Sequence, residues 1–179
     1  MGQYRLDEVK EKAIFDFIIS ASGFGNDKVI WDKQDVVDPR KAVKPELPYI
    51  TLNISGGPSL QGTPEMTRVS LDTFEKPFRR AFTVTANVFS NLGWLEMGSQ
   101  ISDAIYLNTK RDILTAAGVS VLDTGDVLDI SALLDTKHEG RATVDFFMSD
   151  CIVREDVPGE VETTEITGTV GTIETIIPT

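Results

Sequence analysis

Apolar residues recur at three- and four-residue spacing near the start of the chain, at Leu6, Val9, Ala13, Ile14, Phe17 and Ile18, and Gly23 closes the run. That spacing predicts a helix with one apolar stripe, stopped by the glycine. The period then changes. Residues 28–34, KVIWDKQ, read as a short strand. The polar stretch after them, with Pro39, Pro45 and Pro48, reads as a loop, because proline brings no amide to a sheet ladder. Residues 49–55, YITLNIS, alternate β-branched with polar side chains. The glycines and prolines of SGGPSLQGTPE predict a turn or exposed loop after them, with MTRVSLD as the return strand of a hairpin.

The clearest strand is FRRAFTVTANVFS, residues 78–90, where Phe82, Val84, Ala86 and Val88 fall on one face and Thr83, Thr85 and Asn87 on the other. Helical spacing returns over residues 93–107 through Trp94, Met97, Ile101, Ala104 and Ile105. A further short helix is expected with Asn108 as its cap and Gly118 at its end. After a turn at DTGD and a strand piece VLDIS, residues 140–153 alternate again. Ala142, Val144, Phe146, Met148 and Ile152 oppose Arg141, Thr143, Asp145, Phe147 and Ser149. Strand-rich runs with helices set apart predict an α+β fold, a curved, mainly antiparallel sheet with helices packed on one face. The expected organisation is one domain over residues 1–154 and an acidic, Thr-rich arm over 155–179, a strand-prone segment suited either to pairing with a sheet edge, in the same chain or a neighbour, or equally to remaining a disordered tail.

Composition narrows the function. With 179 residues, 41% hydrophobic and 25% charged, the chain suits a single soluble domain with its own core. A net charge of -11 argues against gripping nucleic acid, which needs clustered Lys and Arg. After Arg154 there is no further cation, while six acids follow. Asp7, Glu8 and Glu11 precede the first apolar turn, unlike a secretory signal, and AIFDFII is too short to span a membrane. The lone Cys151 fits a reducing compartment and is expected as a small buried residue.

Enzyme-like strings are few. In VLDTGDV, residues 121–127, Asp123 sits where a retroviral-type aspartic protease would present its catalytic acid. The hydrophobic-Gly-Arg partner of such enzymes is missing, however. Gly140-Arg141 comes only 17 residues after Asp123 and follows His138-Glu139 instead of an apolar pair. A turn is the simpler reading of Asp and Gly there. Asp123, Asp126 and Asp129 lack the alternating ligands of a calcium loop, and one His with one Cys is too few for an ordinary zinc site. SGGPSLQG lacks the Gly-Lys-Ser/Thr continuation of a phosphate loop. His138 and Cys151 lie 13 residues apart on one extended segment, roughly 40 Å at about 3.3 Å per residue, too far to act as base and nucleophile. No cofactor is implied.

Two stretches carry a family resemblance. VIWDKQ followed by ELPYITLNI, and later LLDTKHEGRATVDFFMSD, are similar to strings of the phage neck, or tail, terminator proteins. The matching residues are Trp31, Gln34, Pro48, Tyr49, Asp135, Thr136, Glu139, Arg141, Ala142 and Asp145, in an order that fits from about Leu6 to Val153. The insert DVVDPRKAVKPE and the acidic tail depart from the pattern, so the resemblance implies no role for the tail. It implies a small α+β subunit that forms a homo-oligomeric ring, usually of six, on the head-proximal end of the tail tube. That ring ends tube growth and joins tail to neck. The implied partners are the tube protein, the neck or connector protein and the tail sheath where there is one, with DNA only in transit and no membrane. The implied location is the virion, after assembly in the host cytoplasm. Another neck or head-completion ring component would keep the assembly role with a different partner, and a hydrolase using Asp123 would change the class. Arg68, Arg79, Arg80 and Arg141, read as exposed, are candidates to meet acids of a neighbouring subunit or the tube, although a solvated strand face would look the same.

Overall fold

The computed structural model describes residues 6–32, 45–69, 73–134 and 137–156. Helix α1 (Glu8–Ser22) starts at Asp7, whose carboxylate accepts the amides of Val9 and Lys10 at 2.9 and 3.1 Å and so satisfies two donors that a helix start leaves over. Gly23 ends it with φ 72°, a left-handed conformation that a side chain disfavours. Ala13, Ile14, Phe17, Ile18 and Ala21 are buried, together with Leu6 before the helix. Val9, expected on the stripe, is instead 67% exposed. Lys10, one turn before Ile14, holds the stripe position and carries its ammonium to the buried Asp150 at 2.9 Å.

The strands are β1 (Val29–Trp31), β2 (Tyr49–Leu60), β3 (Thr67–Arg68), β4 (Phe74–Ser90), β5 (Val119–Thr124), β6 (Leu128–Asp129), β7 (Ala132–Leu134) and β8 (Lys137–Asp156). Two further helices, α2 (Trp94–Asp103) and α3 (Asn108–Ala116), are joined through a 3-10 turn, Ala104–Tyr106. The sheet order is β1-β2-β4-β8-β5, with β3 beside β4 and β6 and β7 beside β8. The β1–β2 pair is parallel and the other pairs are antiparallel. The fold is therefore α+β, with an open, curved and mainly antiparallel sheet, as the alternation predicts. No helix of the described residues is long and apolar enough to cross a membrane.

The spine is the β4–β8 pair, in unbroken register from Phe74↔Asp156 to Ser90↔Gly140. Even-numbered residues of both strands face the helices. Phe82, Val84, Ala86, Val88, Ala142, Val144, Phe146 and Met148 form one core with α1, Ile101 and Leu114. Phe17 meets Phe146 edge to face at 6.0 Å, a favourable geometry for aromatic quadrupoles. β2 ends opposite Arg80 and β5 begins opposite Asp150. Beyond those residues β4 and β8 continue as a ribbon flanked by β3.

Several expectations need correction. SGGPSL is not a loop, since β2 runs through it to Leu60 after an irregularity between Ser55 and Ser59. Such an irregularity is where glycine and proline are tolerated in a strand. MTRVSLD is not the return strand of β2. Its two strand residues, Thr67 and Arg68, pair with Glu75 and Phe74, and β2 pairs with β4. Asn108 is the first residue of α3, and its side chain does not cap the helix. Cys151 is exposed because odd positions of β8 point away from the core, and Ile152 is only half-buried because it lies on the ribbon.

Candidate interaction surfaces

The sheet face opposite the helices carries most of the motif residues that the structure describes. Tyr49 opens β2 immediately after the cis Leu47–Pro48 peptide, and it is 2% exposed. It pairs with Phe89 of β4, which pairs in turn with Arg141 of β8, so one row crosses three strands. The Tyr49 and Phe89 rings stack at 4.6 Å with planes 7° apart, and the Arg141 guanidinium lies 4.7 Å from the Phe89 centroid. Arg141 Nη2 also donates to Asn87 Oδ1 at 3.2 Å, and its buried Nε has no hydrogen-bond partner among the described residues.

Two residues along the strand means the same face, so Asp145 lies on this face as well. It accepts the Thr85 hydroxyl at 2.5 Å, and Thr85 is 3.2 Å from Ser55 Oγ. The face thus carries one aromatic-cationic row across three strands and one chain of hydroxyls, running diagonally from Ser55 to Thr85 and ending on the Asp145 carboxylate. Glu139 is half-buried one step before Arg141, opposite Ala132 of β7. Trp31, at the end of β1, packs part-buried against the core. Gln34, Asp135 and Thr136 lie outside the described residues, as do residues 157–179 of the expected arm.

The other arginines do not join this group. Arg79 stands ten residues from Phe89 on β4, roughly 33 Å away along an extended strand. It is exposed on the outer face opposite Cys151, whereas Arg80 points to the helix side and is half-buried. Arg68 is exposed on β3 with its guanidinium 5.8 Å from the Phe74 centroid. Arg141 is likewise half-buried, so of the four arginines read as exposed only Arg68 and Arg79 are so.

The enzyme-like string resolves into strand and turn. Asp123 is exposed on β5 opposite Phe147, and its Oδ1 accepts the amide of Thr124 at 2.8 Å. His138 and Cys151 both belong to β8, with the 13-residue separation intact. Among the described residues no three His, Cys, Asp or Glu side chains converge to hold a metal ion. An open depression beside α2 is lined by Glu96, Ser99, Gln100, Asp103, Ala104 and Leu107.

Sequence reasoning missed three features. Asp150 is 3% exposed on the core side of β8, and the even-position parity that buries Met148 would have placed it there. Gly140 is the seat of Trp94. A Cβ on Gly140 would lie 2.1 Å from Trp94 Cε3, so only glycine admits the indole. Phe89 carries no motif signal, yet it is the centre of the aromatic row.

No curated protein matches the sequence. Residues 11–175 match the family described as phage neck terminator protein, a stretch that takes in the motif strings, the charged insert and most of the acidic tail. These are structural proteins of the phage neck and tail. With nearly the whole chain inside the match, and an α+β fold as that resemblance implies, the chain belongs to the phage neck terminator family.

Proposed function

We propose that this chain assembles into a closed ring of six copies on the head-proximal end of a tail tube. The ring ends polymerisation of the tube and joins it to the neck while DNA passes through. The family match supports a neck role, and one structural observation supports an assembly surface. Among the described residues the sheet has helices on one face only, and its other face presents Leu128 at 54% exposure near the Tyr49–Phe89–Arg141 row, with Phe147 and Val153 at 41 and 54% farther along β8. Exposed apolar side chains rimmed by polar rows are the composition of a protein contact.

In a ring, one face meets a different face of the next copy, so this sheet face needs a partner surface elsewhere on the subunit. The tube protein, the neck or connector protein and any tail sheath are the further partners, and assembly precedes the virion in the host cytoplasm. The role is binding, with no catalytic step. Six copies at -11 carry -66 together, and a lumen of that sign would pass DNA without the phosphate contacts that hold it.

The direct test adds purified chain to polymerising tube protein and measures tube length by electron microscopy. Short tubes bearing a ring at one end are expected. Unchanged tube lengths, with the chain bound only to neck proteins, would overturn tube termination in favour of a connector. A ring structure with a basic lumen would sink the charge argument.

A further inference from the structure

The ribbon beyond β2 and β5 has two chemically different faces. On the face continuous with the helix-covered core stand Phe74, Lys76, Phe78 and Arg80 of β4, Arg154 of β8 and Arg68 of β3. Strand parity places Lys76 and Arg80 on this face, and contacts with aromatic rings place Arg68 and Arg154 there. Arg68 lies 5.8 Å from the Phe74 centroid, and Arg154 lies 5.8 Å from that of Phe78. These four cations are spread over about 20 Å of the ribbon, with Asp150, held by Lys10, opposite Arg80 at its inner end, in a chain of net charge -11. The same ribbon has an available edge. Among the described residues, Cys151 to Asp156 pair with β4 alone, because β5 begins opposite Asp150.

The chain's own chemical complement is its last segment. Residues 157–179 contain Glu160, Glu162, Glu165 and Glu174, no Lys or Arg, and many Thr, Ile and Val residues, which suit an added strand. The family match reaches residue 175 and so includes most of this segment.

We propose that residues 157–179 of one copy dock on the ribbon of a neighbouring copy, adding along the Cys151–Asp156 edge and setting glutamates beside Arg154, Lys76 and Arg80. Backbone pairing supplies the affinity of such strand addition, and charge-assisted contacts supply the register. Length argues for a neighbour over the chain's own ribbon. From Glu160 to Glu174 an extended segment spans about 46 Å, whereas the edge from Cys151 to Asp156 offers about 17 Å. A segment that leaves from the tip of its own ribbon overshoots that edge, and the surplus is what reaching another copy requires.

Zero-length carbodiimide coupling in an equal mixture of isotope-labelled and unlabelled chain tests this. Peptides joining Lys76 to Glu160, Glu162 or Glu165 are expected, with hybrid-mass pairs as abundant as like-mass pairs. Like-mass pairs alone would show docking within one chain, and no coupling of Lys76 to the tail would show no docking; either overturns the proposal. Two variants give a second reading, the chain ending at Asp156 and the full chain with Lys76→Glu and Arg154→Glu. Each keeps the parent's circular dichroism and is expected to self-associate about tenfold more weakly, a loss of the size set by a few charge-assisted contacts. Mixing them restores association, since one supplies the dock and the other the tail. Variants that associate like the parent would overturn the proposal. It requires self-association but not tube capping, so its failure and that of the terminator reading are separate results.

Discussion

Gly140→Ala probes the contact that fixes α2 to the end of the β4–β8 spine. A Cβ there would stand 2.1, 2.4 and 2.6 Å from three carbons of the Trp94 ring. Ordinary contact begins near 3.4 Å, so the indole must retreat by about 1.3 Å, and a fused aromatic ring cannot fold out of the way. Nor can α2 readily slide along the sheet, because Gly98 one turn on is itself tight: a Cβ on it would lie 2.7 Å from Val127 Cγ1. Overpacking of this kind costs about 1–3 kcal/mol, which for a chain of this size lowers the melting temperature by about 2–12 °C. Thermal and urea unfolding followed by circular dichroism would measure it. In the double variant Gly140→Ala/Trp94→Leu the clash is gone, so its destabilisation should fall short of the sum of the single variants by about 1 kcal/mol or more. A single variant as stable as the parent, or an additive double variant, would refute the reasoning.

Lys10→Met leaves the Asp150 carboxylate, 1% exposed, without the ammonium at 2.9 Å, and should cost about 3 kcal/mol in urea unfolding. Asp150→Asn should cost less, because the Lys10 ammonium can bend toward water. Asp7→Ala should cost about 1 kcal/mol near neutral pH as a lost helix cap. The Lys10 amide donating to Asp7 holds its carboxyl below the ordinary 3.8. This stability is present above the ordinary value and is lost as pH falls through the lowered one, so parent and variant should converge in strong acid when compared across pH. Arg141→Ala removes the contact with Phe89 and the bond to Asn87, with an expected cost of about 1–2 kcal/mol. Arg141→Lys should recover little of it, because an ammonium lacks the planar fork, as chemical denaturation of the pair would show.

The elements with an unbroken period were legible in the sequence. Alternation in residues 78–90 and 140–153 located β4 and β8 and assigned their faces, and the three- and four-residue spacing located α1. What escaped depended on contacts distant in sequence. Glycine and proline in SGGPSL read as turn signals because a local pattern cannot reveal the irregularity that lets β2 continue through them. The partner of β2 lies in β4 beyond the two-residue β3, and no local signal marks that exchange. At the candidate surface, parity was enough to put Arg141 and Asp145 on one face. It could not reveal that Phe89 links Arg141 to Tyr49, since that link depends on the register of three strands. Arg68, Arg79 and Arg80 looked like one group by composition, but the ribbon divides them between its two faces.

The central claim is that this neck protein ends tube growth. Electron microscopy of particles assembled in infected cells without this chain tests that most directly. Tubes of irregular, excessive length without heads are the expected result. Tails of normal length that simply fail to join heads would contradict it.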